Sequence, residues 1–337
     1  MNTPAGPSTA TLISRMHEVQ KAAFASNTRE AIARSWRLFL YFRYLHYDHP
    51  LPADSSCIRL FETFLLSQPS IKSPATIAIY VSHVKTCHRL LGFPTSAFDE
   101  PELKLFKRAL GKTMGYTPRQ AAPMTPDLLR KIWGQLDHSI PTDVTTWACL
   151  VISFFSISRK GNLVPTNKNP PPDSQHLVRG RVALGQSNLV LGWKWAKTIT
   201  QGERVHRIPL TAIPNSILCP VSAYTRMVSM MPANPQDPAF LIPDSSGRRL
   251  SPLTYPQFNS RLKELIQACG GDPSRFSSHS LRHGGATSAV SAGIPLPTVM
   301  AIGDWAKDSS CVLRYLHPDL DTRASCTALM AGHKPTQ

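Results

Sequence analysis

Between Gly111 and Thr125 the chain carries Gly115, Pro118, a pair of alanines and Pro123, and the helical periodicity on either side stops there. Glycine and proline are the strongest local breaks in regular structure, because one is conformationally free and the other cannot continue a helix. The stretch is therefore predicted to be a linker. It divides the chain into a domain over residues 1–112, a linker over 113–124 and a second domain over 125–337. A chain of 337 residues is long enough for each part to bury its own core.

Residues from about Thr9 to Lys112 are expected to form four or five helices. Between Asn27 and Asp48, the apolar positions Ile32, Trp36, Leu40, Phe42 and Leu45 recur at roughly helical spacing, and Asp48-His49-Pro50-Leu51-Pro52 ends that element. A helix over Ser55–Leu66 is expected to place Cys57, Leu60, Phe61 and Phe64 on one side. Ser73-Pro74 suits an N-cap followed by proline at the first helical position, opening a run to about Leu91. Its exposed side would carry His83, Lys85, His88 and Arg89, and a last short helix, Leu103–Leu110, would carry Lys104, Lys107 and Arg108.

Past the linker, Thr125-Pro126-Asp127 reads as another capped helix start, and a long apolar helix is predicted to end near Arg159. Lys168-Asn169-Pro170-Pro171-Pro172-Asp173 is a loop. From His176 to Leu210, alternating residues with Gly185, Gly192 and Gly202 suggest a small antiparallel sheet, with Gln201-Gly202 turning one hairpin. Helices resume from Pro220. The fold class is mainly α with a small antiparallel β-sheet (α+β). The longest apolar run, Ala148 to Ile157, is about half the length that spans a bilayer, so it is expected to be a buried helix and no membrane partner is expected.

Lys and Arg outnumber Asp and Glu by 37 to 21, for a formal charge of +16, and the basic residues are scattered rather than massed in a tail. Such a distribution suits a folded protein that wraps a polyanion and releases its condensed counterions. The seven cysteines are widely spaced with no Cys-x-x-Cys pair, so neither a zinc site nor a disulfide framework is signalled and a reducing compartment is expected. The N-terminus lacks the basic and apolar regions of a secretory signal.

The residues that carry chemistry lie in the second part. His279-Ser280-Leu281-Arg282 puts an imidazole and a guanidinium at i and i+3, on one face of a helix. Arginine suits a phosphate because its planar fork offers paired donors and stays charged. Gly284 and Gly285 follow, and would let that helix approach other backbone or a nucleic acid closely. A second copy, His176-Leu177-Val178-Arg179, lies in a predicted strand, where i and i+3 face opposite ways and form no clamp. His279 and His283 have metal-ligand spacing, but no glutamate lies between them and no third ligand is placed, so no metal is expected.

With Arg159 at the end of the apolar run and Lys197 at the end of the aromatic strand Gly192–Thr198, the ordered set is Arg159, Lys197, His279, Arg282, Trp305 and Tyr315. That order resembles the tyrosine recombinase (phage integrase) family, whose sites carry Arg, Lys, His-x-x-Arg, His or Trp, and Tyr. The proline-rich insertion and Trp305 in place of a histidine look most like eukaryotic mobile-element recombinases such as cryptons.

The resemblance implies an N-terminal helical core-binding domain that clamps DNA and a C-terminal catalytic domain. It implies that Arg159 and Arg282 hold a phosphate with His279 and Trp305. Lys197 would protonate the leaving 5′ oxygen, with Lys194 a close rival, and Tyr315 would form a 3′-phosphotyrosyl bond. That bond stores the energy of the broken phosphodiester, so no cofactor is expected. The implied partners are double-stranded DNA and, on two sites, three further copies of the chain, free protein being monomer or dimer. A nuclear location, a role in integrating or excising a mobile element, and a docking helix after Pro318 follow from the resemblance alone. Two positions depart from the pattern. Asn162 stands where many members have an acid, and Asp304 brings negative charge next to Trp305. A recombinase-derived protein that only binds DNA, and a type IB topoisomerase, are the competing readings.

Overall fold

The computed structural model describes residues 6–47, 51–117, 121–170, 176–194, 199, 203–306 and 308–315, without the side chains of Arg314 and Tyr315. The chain divides into two compact units, Met1–Pro118 and Arg119–Gln337.

The first unit is helical: α1 (Thr9–Ala22), α2 (Ser26–His46), α3 (Ser55–Leu66), α4 (Pro74–Leu90), a 3-10 turn at Ser96–Asp99, and α5 (Pro101–Thr113). The capping chemistry accounts for the starts. Asp54 Oδ1 accepts from the Cys57 N–H at 2.7 Å, and Ser73 Oγ accepts from the Thr76 N–H at 3.2 Å ahead of Pro74. Phe39, Phe42, Ile58, Phe61, Leu65, Ile77 and Val81 form the core.

The faces differ from expectation in three places. On α3 the buried stripe is Cys57, Ile58, Phe61, Glu62 and Leu65, while Leu60 is 52% exposed. That stripe is the 3.6-residue period read one position over, and it drags Glu62 inside. The Glu62 carboxylate is fully buried with both oxygens unpartnered, and burial pushes its pKa up to about 7 against the pull of Lys107. On α2 the inner face is Ile32, Ser35, Phe39, Phe42 and Arg43, and Leu45 is exposed. His88, expected on the outside of α4, is wholly buried among Trp36, Phe39, Phe93 and Phe98. Its Nε2 accepts from the Ala53 N–H at 3.2 Å, so its Nδ1, 2.9 Å from the Val84 carbonyl, carries the proton.

The second unit opens with α6 (Pro126–Trp133), α7 (Pro141–Phe155) and the single turn α8 (Lys160–Leu163). The three-stranded antiparallel sheet follows: β1 (Val182–Leu184), β2 (Asn188–Trp193) and β3 (His206–Thr211), with Leu191 opposite Ile208 and Gly192 opposite Arg207. Then come α9 (Pro220–Met230), a hairpin of β4 (Leu241–Pro243) and β5 (Leu250–Pro252), α10 (Tyr255–Ala268), α11 (His279–Ser291), α12 (Leu296–Ile302) and a 3-10 turn at Ser310–Tyr315. Almost every residue of α7 is buried, which makes it the axis of this core. Among the described residues no helix is long and apolar enough to cross a membrane.

Three expectations are corrected here. The apolar helix stops at Phe155, so Arg159 lies beyond it, at the N-cap of α8. His176–Arg179 is not in a strand: Val178 makes one isolated bridge with Pro238, and Arg179–Arg181 is a 3-10 turn. The β4–β5 hairpin interrupts what reads as a succession of helices from Pro220, and it went unseen because its strands are three residues long and give little alternation to detect. The Gln201-Gly202 turn and the segment after Pro318 lie outside the described residues.

Candidate active site

Two helix exits build this site, and both end in the same way. At the end of α7, the Ile157 N–H bonds the Phe154 carbonyl and the Ser158 N–H bonds the Ser153 carbonyl, with Ile157 at φ +50°. At the end of α12, the Asp304 N–H bonds the Ala301 carbonyl and the Trp305 N–H bonds the Met300 carbonyl, with Asp304 at φ +53°. Each is a Schellman motif, a cap that normally employs glycine at its left-handed position. Ile157 is the stranger of the two, since a β-branched residue with positive φ costs roughly 1–2 kcal/mol. Ser156 helps to stop α7 by folding its hydroxyl onto the Ile152 carbonyl at 2.6 Å.

Arg282 explains why both caps persist. It rises from the first turn of α11 with 3% of its surface exposed. Its Nη1 donates to the Ile157 carbonyl at 2.5 Å and its Nη2 to the Gly303 carbonyl at 2.7 Å, and its guanidinium lies 3.8 Å from the centre of the Trp305 ring. One cation thus ties the exit that precedes Arg159 to the exit that precedes Trp305. Arg159 adds a second tie, donating from Nη2 to the Asp304 carbonyl at 3.2 Å. A Cβ on Gly303 would overlap the Trp305 ring, so a side chain there displaces the indole.

The two glycines after Arg282 serve packing within this unit. A Cβ on Gly284 would overlap the Met124 backbone, and one on Gly285 the Phe154 carbonyl oxygen of α7. They let α11 press against α7 and against the strap 121–124, which is anchored by Met124 N–H to the Ser280 carbonyl (2.8 Å) and by the Ala121 carbonyl to His283 Nδ1 (2.9 Å). His283 is therefore an anchor for the strap. Residues 121–124, part of the stretch expected as linker, belong to the second unit.

Arg159, His279, Arg282 and Trp305 all line one cleft of about 610 Å3, together with Lys160, Tyr255, Ser277, Ser278, Ala306, Ser309 and Cys311. No described residue of that lining is a carboxylate. Asp304, next to Trp305, is buried and pairs with Arg204 (Nη2 to Oδ1, 2.5 Å) and Arg159 (Nη1 to Oδ2, 3.7 Å). The negative charge that looked out of place in the sequence is thus neutralised beneath the cleft, and it orients Arg159. His206 of β3 faces the Ile302 carbonyl across 3.1 Å, and Trp193 of β2 donates its indole N–H to the Asn162 carbonyl at 2.6 Å, fixing the sheet to both exits.

His279 remains exposed, yet its pKa is held below the ordinary histidine value. Desolvation by the cleft walls is the larger cause, followed by the positive charges of Arg282, His283, Lys160 and Arg159. Lys197 lies outside the described residues. Its rival Lys194 is exposed on the outer face of the sheet, in a groove with Arg181 and Arg207 rather than in the cleft. Tyr315 ends the 3-10 turn that begins beside cleft residues Ser309 and Cys311, and its side chain lies outside the described atoms. Sequence reasoning missed Lys160, Tyr255 and Arg204. Only Lys160 left a signal, as a second cation next to Arg159.

The phage integrase family model matches residues 186–321, a span that starts after Arg159 and includes the other five ordered residues. No curated protein matches the chain. Solved structures with the same fold include XerH site-specific recombinase bound to palindromic difH substrate in a post-cleavage complex, 13% identical, covering 88% of this chain and 77% of that one at a TM-score of 0.58. The Tn1549 transposon integrase in complex with transposon right end DNA is 16% identical, covering 91% and 95% at 0.56. A lambda integrase tetramer bound to a Holliday junction is 12% identical, covering 94% and 79% at 0.57. The fold of this chain is that of the tyrosine recombinases.

Proposed function

We propose that the chain is a site-specific DNA recombinase that breaks and rejoins strands through Tyr315. The observation that carries this reading is the convergence of Arg159, His279, Arg282 and Trp305 from three separate stretches into one cleft lined by cations and hydroxyls and by no described carboxylate. Such a cleft favours an anion and disfavours a bound cation. Phosphoryl transfer needs a positioned nucleophile, stabilised charge on the phosphate and a proton for the leaving oxygen.

In this reading Arg159, Arg282, His279 and the Trp305 indole hold the scissile phosphate. The Tyr315 Oη attacks phosphorus, the P–O5′ bond breaks, and a 3′-phosphotyrosyl ester forms. The phenolic proton leaves to a nearby base, and Lys197 protonates the 5′ oxygen. Attack by a 5′-hydroxyl on the ester reverses the bonds and rejoins a strand, so no nucleotide cofactor is consumed. Four protomers on two sites would exchange strands, in the service of integrating or excising a crypton-like mobile element in a nucleus.

The test is a covalent adduct. Purified protein is incubated with labelled, nicked duplex DNA of randomised sequence, stopped with SDS and resolved on a gel. A labelled adduct in the wild type that is absent in Tyr315→Phe is expected, and an equal adduct in both overturns the assignment. A DNA-binding protein without chemistry is favoured by one observation, the commitment of both Arg282 Nη atoms to backbone carbonyls. Salt-sensitive binding with no adduct would select it.

A further inference from the structure

Lys160 has no part in the chemistry proposed above, and it stands inside the cleft. Its ammonium lies 3.8 Å from the centre of the Tyr255 ring, the same separation as Arg282 above Trp305. Both Lys160 and Tyr255 line the cleft with Arg159 and His279. Among the described residues no carboxylate forms an ion pair with Lys160, although seven such pairs form elsewhere. A lysine that is held on an aromatic face and pairs with no carboxylate keeps its charge available for an incoming anion.

Tyr255 is a fixed platform. It is the first residue of α10, its N–H donates to the Pro165 carbonyl at 2.8 Å, and a Thr254–Gln257 capping box locks the turn. Burial alone would raise the phenol's pKa, but hydrogen bonds with Lys160 and Ser278, with the charges of Lys160 and Lys263, outweigh it and lower it. The hydroxyl therefore sits in a positive field beside Ser277 and Ser278, two further hydroxyl-bearing residues of the cleft.

We propose that Lys160 and Tyr255 form a second phosphate-binding pair, in which the lysine contacts the DNA phosphate next to the one being cleaved and the tyrosine holds the ammonium in place. This rests on the recombinase reading for the identity of the anion as DNA. Lys160 is a binding residue here and Tyr255 a positioning residue.

The experiment measures binding of the full chain to a random-sequence duplex across a salt series, alongside adduct formation and the thermal midpoint. Lys160→Gln is expected to weaken binding about 5- to 10-fold and to flatten the dependence of log K on log salt by about 0.9, the share of one phosphate contact. The midpoint stays unchanged because Lys160 is exposed. Lys160→Arg restores the slope, and Tyr255→Leu gives a smaller loss in the same direction. An unchanged slope in folded Lys160→Gln overturns the pair, whether or not adduct forms. So does a slowed adduct at unchanged slope, which would make Lys160 a proton donor instead. If the wild type binds with a steep slope that Lys160→Gln flattens, yet forms no adduct, the pair stands and the recombinase reading fails. No binding by the wild type at any salt sinks both.

Discussion

The chain contains His-x-x-Arg twice, and the two copies have very different surroundings. Arg179 and Arg282 are both buried, 9% and 3% exposed, both donate to backbone carbonyls, and both lie over an aromatic ring. Arg179 reaches one carbonyl, that of Met231, leaves Nε and Nη1 unpartnered, and sits 5.8 Å from Tyr224. Desolvation lowers even its guanidinium pKa. Arg282 instead joins two helix exits, one of which holds isoleucine in a left-handed conformation, and it opens onto a cleft. His176 is buried where His279 is exposed. Spacing alone does not make a site. A buried arginine acquires a role from the strained backbone it holds and the space it faces.

Removing each arginine should separate the two copies most sharply. Arg282→Ala strips donors from two buried carbonyls, so it is expected to cost about 3 kcal/mol in denaturant unfolding and to abolish the adduct. Arg179→Met replaces a poorly paired buried charge with an apolar chain of similar length. It is expected to change stability by less than about 1 kcal/mol and to leave the adduct at the wild-type rate. Equal losses in the two variants would erase the contrast.

A smaller change probes the ring over Arg282. Gly303→Ala drives a methyl into Trp305. Losing a cation–π contact worth up to about 2 kcal/mol should slow single-turnover cleavage roughly 10-fold and alter the tryptophan fluorescence. An unaltered rate would show that Trp305 only packs.

Asp304→Asn keeps a residue that tolerates positive φ and removes the charge that draws Arg159 and Arg204 together. Stability should fall by about 1 kcal/mol or less, as for partly exposed pairs, while cleavage falls a few-fold because Arg159 loses its orientation. A stability loss without any change in cleavage would confine Asp304 to folding.

The smallest effect is on pH. Desolvation, then neighbouring cations, lower the His279 pKa, so the folded value lies below that of a free imidazole, about 6.5. The stabilising contribution of the neutral ring is whole above about pH 6.5 and is lost as pH falls toward the folded pKa. Adduct formation should therefore have its acid limb below pH 6.5, and Lys160→Gln, which removes one of the cations, should move that limb upward. His176 is lowered too, by desolvation and Arg181. His176→Gln should soften acid unfolding and leave the limb in place.

Much of this architecture is local and was legible in the residues. Ser73-Pro74 caps α4, and alternation around Gly192 marks the sheet. Periodicity located the α3 helix, but a one-position phase error exchanged Leu60 for Glu62, because an apolar side chain on the wrong face looks the same in a sequence. The ordered site residues were legible as an order. Their geometry was not, since it depends on carbonyls: Ile157 and Gly303 present oxygens 2.5 and 2.7 Å from Arg282 across 125 and 21 residues of chain. Nothing in Ser156-Ile157-Ser158 announces a left-handed isoleucine, whose carbonyl accepts from the distant Arg282. The β4–β5 hairpin was hidden for a simpler reason, that three-residue strands carry no period.

The most direct measurement is to map the DNA-linked residue. The adduct is digested with protease and nuclease and its nucleotide-bearing peptide sequenced by mass spectrometry. Nucleotide on Tyr315 through a 3′-phosphoryl bond is the expected result. Nucleotide on Tyr255, a tyrosine that lines the cleft, or on any other residue would contradict it.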